Sequence, residues 1–409
     1  MSPRITGMLG LVTLATACFS PSAPRSSEPE PGAGGSGGGG TGGMGGATPT
    51  YARVCTSEVD TDCARVEQLW AGGTFSCAGL DDGTLRCFGT NDSGQLGDRD
   101  LPFSFFGVGT MASLGGQPTV TLGHTHGCAI DDEGLRCWGR NLVGQLGTGD
   151  RDFRYRPTAP QLDGEVSQVA TRHSATCART GGRISCWGHA LNGQDWISND
   201  RGDVVELPTA VPVIDDAQAV AVGTLFACAL RADGTVWCWG QGEDGQLGRG
   251  DDASSPTPGP VTGLPSSVTQ LRSGGQCSCV LTGSPADVRC WGRMAGDGLL
   301  FPTSMAVDTP EAVLDVQVGD RHACALLQGG RVQCWGDNTY GQLGTVGPSI
   351  NTAADVVGLT DATAIAVGFD HTCALRAAGE VVCWGRNAFG QLGFVGGGQS
   401  APTPVPWPN

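Results

Sequence analysis

No lysine occurs anywhere in these 409 residues, so all 24 basic side chains are arginine, set against 40 aspartates and glutamates for a net charge of -16. An acidic chain without a basic stripe is poorly suited to a polyanion, which argues against nucleic acid as a ligand. A sustained helical period is missing as well, and with it the case for a helical solenoid. Neither a nucleophile elbow nor a Cys-His nucleophile pair stands out. The recurrent Gly-Gln-Leu-Gly lacks the lysine and the helix of a phosphate loop, so it reads as a backbone bend with a buried leucine.

Glycine and cysteine are abundant instead, at 68 and 18 residues, and the cysteines are periodic. Seven times, two cysteines bracket a tight turn and the second is followed by Trp-Gly or Phe-Gly. The leading members, Cys77, Cys128, Cys177, Cys228, Cys279, Cys324 and Cys373, are 51, 49, 51, 51, 45 and 49 residues apart. A fixed period of this length marks an array of like supersecondary units. Short Val-, Leu- and Cys-rich stretches between Gly, Pro and Asp fill each period with four strands of about 5 to 6 residues. Interior units open on a Pro-containing stretch such as Ser255-Pro-Thr-Pro-Gly-Pro-Val, which the first unit lacks, while the chain ends on a spare Ala401-Pro-Thr-Pro-Val-Pro-Trp. The expectation is an all-β, seven-bladed propeller over residues 66–409, closed by a C-terminal strand that completes the first blade.

The stretch from His371 to Gly393, with His-x-Cys-Ala-Leu, a turn, Trp-Gly and then Asn-x-x-Gly-Gln-Leu-Gly, resembles the regulator of chromosome condensation repeat family. Gly-Gln-Leu-Gly returns at 94–97, 144–147, 245–248, 341–344 and 390–393, and units three and five depart from it. The resemblance implies the propeller fold. Nuclear members catalyse nucleotide exchange on a small GTPase and contact chromatin, and some secreted bacterial propellers similar to the family inhibit β-lactamases. This acidic sequence shows no long insertion of the kind a wedge into a GTPase would need.

Hairpin arithmetic places each cysteine opposite its mate. Where the pair spans ten positions, a three-residue loop with glycine third (Asp81-Asp82-Gly83, Ala232-Asp233-Gly234, Gln328-Gly329-Gly330, Ala377-Ala378-Gly379) sets Cys77 against Cys87, Cys228 against Cys238, Cys324 against Cys334 and Cys373 against Cys383. Shorter and longer turns set Cys177 against Cys186, Cys128 against Cys137 and Cys279 against Cys290. Directly opposed residues suit disulfides. The competing reading is that these cysteines are small buried apolar groups. Arg4, the apolar run 5–17 and Leu14-Ala-Thr-Ala-Cys18 resemble a bacterial lipoprotein signal (residues 1–17), with Cys18 as the lipidated first mature residue. That expectation places the chain outside the cytoplasm, at the periplasmic or cell-surface side of a membrane, where disulfides persist. Residues 18–50, rich in Gly, Pro and Ser, form the tether, and residues 51–65 form a small loop closed by Cys55 and Cys63. Cys277 is the odd thiol, either unpaired or exchanging with Cys279 for Cys290.

Little else suggests chemistry. His126, His322 and His371 recur two residues before a leading cysteine and are expected to bond within or between blades, whereas His124, His173 and His189 stand off that register with no ligand spacing. Carboxylates at the hairpin tips are turn chemistry, and Asp60 and Asp62 offer too few oxygens for calcium. No cofactor or metal is expected. Function then falls to non-repeating insertions carrying Phe103, Phe105, Phe106, Phe153, Arg154, Tyr155, Trp196, Arg201 and Phe301, residue types that dominate binding hot spots but also serve to cover a neighbouring blade. The reading is a monomeric, non-enzymatic, lipid-anchored propeller that binds a protein or glycan. The alternatives are a guanine-nucleotide-exchange-like regulator of a GTPase and a polysaccharide-acting hydrolase.

Overall fold

A computed structural model describes residues 54, 63–98, 104–110, 114, 116, 118–189, 204–283, 287–294, 300–309 and 311–407. Those residues contain no helix, and hence none long and apolar enough to cross a membrane. They form 28 strands in seven four-stranded antiparallel sheets, each a simple meander. Blade one is Val66–Ala71, Phe75–Leu80, Leu85–Thr90 and Ser104–Thr110, and blade seven is Ala362–Val367, His371–Arg376, Val381–Gly385 and Gln399–Pro404.

Closure differs from the expectation. The C-terminal strand Gln399–Pro404 pairs with Val381–Gly385 of its own blade, with Val382 opposite Pro404 and Cys383 opposite Thr403. Each Pro-rich stretch is therefore the outermost strand of the preceding unit, as Ser255–Pro260 is for Val236–Gly240. Proline at an outer edge forfeits no ladder bond that a further strand would need. The ring shuts through packing: Val66, Ala78, Leu80 and Phe88 of blade one share one core with Leu375, Val381 and Leu392 of blade seven. Beyond the last strand, Val405 and Trp407 lie in that same core, and the Trp407 ring meets Phe88 edge-on at 6.2 Å. Val54 and Ala64 form an isolated parallel bridge beside them.

Seven disulfides join the two middle strands of the seven blades, one per hairpin, with Cα separations of 4.0–4.1 Å, and each cysteine lies directly opposite its mate. Cys279 pairs with Cys290, leaving Cys277 free and buried. Gly83, Gly234, Gly330 and Gly379 all have φ of 80–82°, the left-handed position that the three-residue turns require. Asp82 and Asp233 accept bonds from the backbone and hydroxyl of Thr84 and Thr235, so these tip carboxylates are turn supports.

The conserved-length loop after Trp-Gly is a joint between blades. Leu96, Leu146, Leu247, Leu343 and Leu392 are fully buried. In four of these loops the asparagine five residues earlier accepts the leucine amide, and in all five the glutamine side chain accepts the amide two residues before it. The glutamine carbonyl then receives the indole N–H of the next blade, Trp138 to Gln95, Trp187 to Gln145, Trp291 to Gln246 and Trp384 to Gln342, at 2.9–3.0 Å.

Candidate functional site at the channel mouth

In a four-stranded meander the first and third connections emerge at one end of the sheet, so the loops after the innermost strands and the Gly-Gln-Leu-Gly loops share one face of the ring. The position four residues before each leading cysteine lies nearest the start of that first loop: Gly73, His124, His173, Thr224, Gly275, Asp320 and Phe369. Backbone bonds run around it from blade to blade. Gly73 donates to Gly123, His124 to His173, Thr224 to Gly275, Gly275 to Gly319, Asp320 to Phe369 and Phe369 back to Gly72, at 2.8–3.1 Å. The last of these closes the ring from blade seven to blade one.

His124, His173 and Phe369 come together here, although the sequence places them in blades two, three and seven. Their rings are near-parallel, with centroids 5.0 Å apart for His124 and Phe369, 5.6 Å for the two histidines and 6.4 Å for His173 and Phe369. The Arg172 guanidinium, from blade three, lies 4.2 Å over the Phe369 ring. Burial, assisted by the arginines, holds His124 below the usual imidazole range, and burial with the neighbouring His124 holds His173 down at about 4. Both rings are neutral at neutral pH. Asp320 is pushed up by burial, while Asp370 bonds Arg386 at 3.1 Å. Among the described residues no group of three or more His, Cys, Asp or Glu is placed to hold a metal.

The in-register histidines serve the joints between blades. Nε2 of His126 meets Thr176 Oγ1 at 3.0 Å, His322 meets Thr372 at 3.0 Å and His371 meets Ser76 at 2.7 Å, each on the following blade. Each of those hydroxyls donates its proton to a glutamine carbonyl, Gln145, Gln342 and Gln391. The hydroxyl must then accept from the ring, which fixes the Nε2–H tautomer and leaves Nδ1 as an unfilled acceptor. Where the histidine is replaced by Phe75, Ala175 or Cys277, the facing residue is Gly127, Ala227 or Ala323, with no hydroxyl to satisfy; in blade four Phe226 faces Ser278, whose hydroxyl instead bonds Ser273 at 2.8 Å. Cys277 thus occupies a histidine position, and burial pushes its thiol up to about 12.

Of the proposed loop residues, Tyr155 packs on Gly94 of the preceding blade, and Arg154 reaches Asp150 at 2.5 Å. Phe153 is half-buried beside them. Phe105 and Phe106 stand on the outer strand of blade one and Phe301 on that of blade five, with side chains outside the described residues, as are Phe103, Trp196, Arg201, Cys18 and Cys55. Cys63 is disulfide-bonded.

A different surface is exposed on the loop face of blades six and seven. Tyr340 and Phe389 occupy equivalent loop positions and are each 41% exposed, and the Arg386 guanidinium lies 4.8 and 5.4 Å from their rings. Val346 and Val395, again equivalent, are 86% and 81% exposed.

Family models for the regulator of chromosome condensation (RCC1) repeat match residues 233–281 and 329–375, and in a second form 217–246, 313–342 and 362–391. The mitochondrial RCC1 domain-containing protein RUG3 of Arabidopsis thaliana is 29% identical over 208 residues, 46% of this chain and 46% of that protein. The E3 ubiquitin-protein ligase HERC2 of Homo sapiens is 30% identical over 197 residues, 44% of this chain and 4% of the ligase. The chain therefore spans less than half the length of these relatives. Among solved structures, Prp20p of Saccharomyces cerevisiae has a TM-score of 0.69 at 20% identity, over 84% of this chain and 87% of that one. Human WBSCR16 has a TM-score of 0.65 at 22% identity, over 76% and 86%. These likenesses carry the fold. The chain is a seven-bladed propeller that carries repeats of the regulator of chromosome condensation type within residues 217–281 and 313–391.

Proposed function

We propose that this chain is a non-enzymatic binding module that presents the loop face of blades six and seven to a protein partner, outside the cytoplasm and held to a membrane by lipid on Cys18. The Tyr340, Arg386 and Phe389 stack with Val346 and Val395 carries the reading. Aromatic and arginine side chains exposed together, flanked by aliphatic groups, have the composition of an interface centre. Seven disulfides support the compartment, since such bonds are rare where thiols are kept reduced. The same bonds weigh against a cytosolic exchange factor.

Two measurements test it. The wild type is expected in the detergent phase of a membrane extract and Cys18→Ala in the aqueous phase; wild-type protein in the cytosol with free thiols would sink the localisation. A photo-crosslinker at residue 389 is expected to yield one discrete adduct on intact cells, lost in Tyr340→Ala/Arg386→Ala. An adduct pattern indifferent to those substitutions removes the patch from the proposal.

A further inference from the structure

The position five residues before the leading cysteine is glycine in six blades, at 72, 123, 223, 274, 319 and 368, and Arg172 in blade three. The glycines are required. A Cβ at Gly123, Gly223, Gly319 or Gly368 would overlap the ring three residues on, His126, Phe226, His322 or His371. Blade three carries Ala175 in place of that ring, which frees the room for a side chain at 172. His173 follows with a φ of 48°, and blade three alone lacks the backbone bond to its successor in the ring described above.

Arg172 is 4% exposed, and its Nε and Nη2 have no hydrogen-bond partner. It makes no ion pair among the described residues, although Asp320 and Asp370 lie within electrostatic reach. It lines a central cavity of about 340 Å³ walled by the innermost strands of all seven blades. Among the described residues the lining includes Arg172, Arg272, Thr119, Thr121, Thr171 and Ser273, and no carboxylate. A net charge of -16 belongs to a chain whose channel, among the described residues, is lined by charged side chains that are cationic. A buried guanidinium with unfilled donors is costly unless an anion meets it.

We propose that the central channel is a binding site for a small oxyanion of the carboxylate or phosphate class, received by the free N–H groups of Arg172. Planar paired donors match both groups. Arg272 contributes charge but is already committed, to the Leu271 carbonyl at 3.2 Å and toward Asp315 at 3.6 Å. The inference does not depend on the protein-binding patch, which lies on other residues.

Thermal unfolding and titration calorimetry of the folded chain with sodium phosphate, sodium acetate and a hexaglutamate peptide, at constant ionic strength, test it. Arg172→Gly restores the residue of the other six blades, and Arg172→Met keeps the stem without the charge. A midpoint that rises with phosphate or acetate in the wild type, with affinity weakened about tenfold or more in both variants, is the expected result and identifies a free ion. A response to the peptide alone identifies an acidic side chain of a partner as the occupant. No response to any of the three, or equal responses in wild type and Arg172→Gly, overturns the proposal.

Discussion

Acidification should unfold this propeller through three histidines. His126, His322 and His371 are fully buried and held down at about 3 by the loss of hydration, each with its single ring proton given to a hydroxyl. Their unfolded value is 6.5. Because the folded value is the lower one, the unfolded chain takes up three protons that the native state refuses. The stability tied to these groups is whole above pH 6.5 and drains away as pH falls toward 3. Each histidine contributes a slope of about 1.4 kcal/mol per pH unit, so three give about 4, and by pH 4.5 the loss is about 8 kcal/mol, comparable with the whole stability of a domain. Urea unfolding followed by tryptophan fluorescence at pH 7.5, 6.5, 5.5 and 4.5, disulfides intact, reads that slope. His126→Gln/His322→Gln/His371→Gln should flatten the limb between pH 6 and 4.5. If the triple variant keeps the wild-type slope, or the wild type is flat there, the assignment of neutral Nε2–H tautomers at the joints fails.

Removing one hairpin disulfide, Cys373→Ser/Cys383→Ser, should cost about 2–3 kcal/mol from the freed loop of about ten residues, read as a lowered urea midpoint without reductant. Gly223→Ala should destabilise by about 1–3 kcal/mol, because its Cβ would enter the Phe226 ring and the core there is closed; a midpoint within error of wild type would refute the close-approach argument. Native protein should leave Cys277 unmodified by iodoacetamide at pH 8, given its burial and a thiol near 12, and label it only in denaturant. Rapid native labelling by intact-mass analysis would contradict the packing of blade five. Trp384→Phe should lose about 1 kcal/mol by leaving the Gln342 carbonyl without its indole donor, measured by the same urea titration.

The blade number, the cross-strand cysteine pairs and the turn glycines were legible in the sequence because each depends on residues within about ten positions of one another. The closure was not. A Pro-rich stretch fits the outside of either neighbouring sheet by composition, and only the pairing of Val382 with Pro404 decides between them. The channel mouth was hidden for a related reason: His124, His173 and Phe369 are far apart in the chain and meet only once seven sheets are arranged about an axis. Read singly, the two histidines had no ligand spacing. A signal did exist, since stacking the seven units on their leading cysteines exposes Arg172 in a column of glycine and the absence of a ring at Ala175. The exposed pair Tyr340 and Phe389 escaped notice because they sit inside the repeat, where each looked like framework.

Every sheet here comes from one unbroken stretch of chain, and no strand is lent across the seam between the last blade and the first. Duplication or deletion of a whole unit would therefore add or remove a finished, internally cross-linked piece without tearing any other. An ancestral gene could lengthen or shorten by such steps, each intermediate size needing only a new matching pair of flanks, and its beginning could migrate to any of the seven seams.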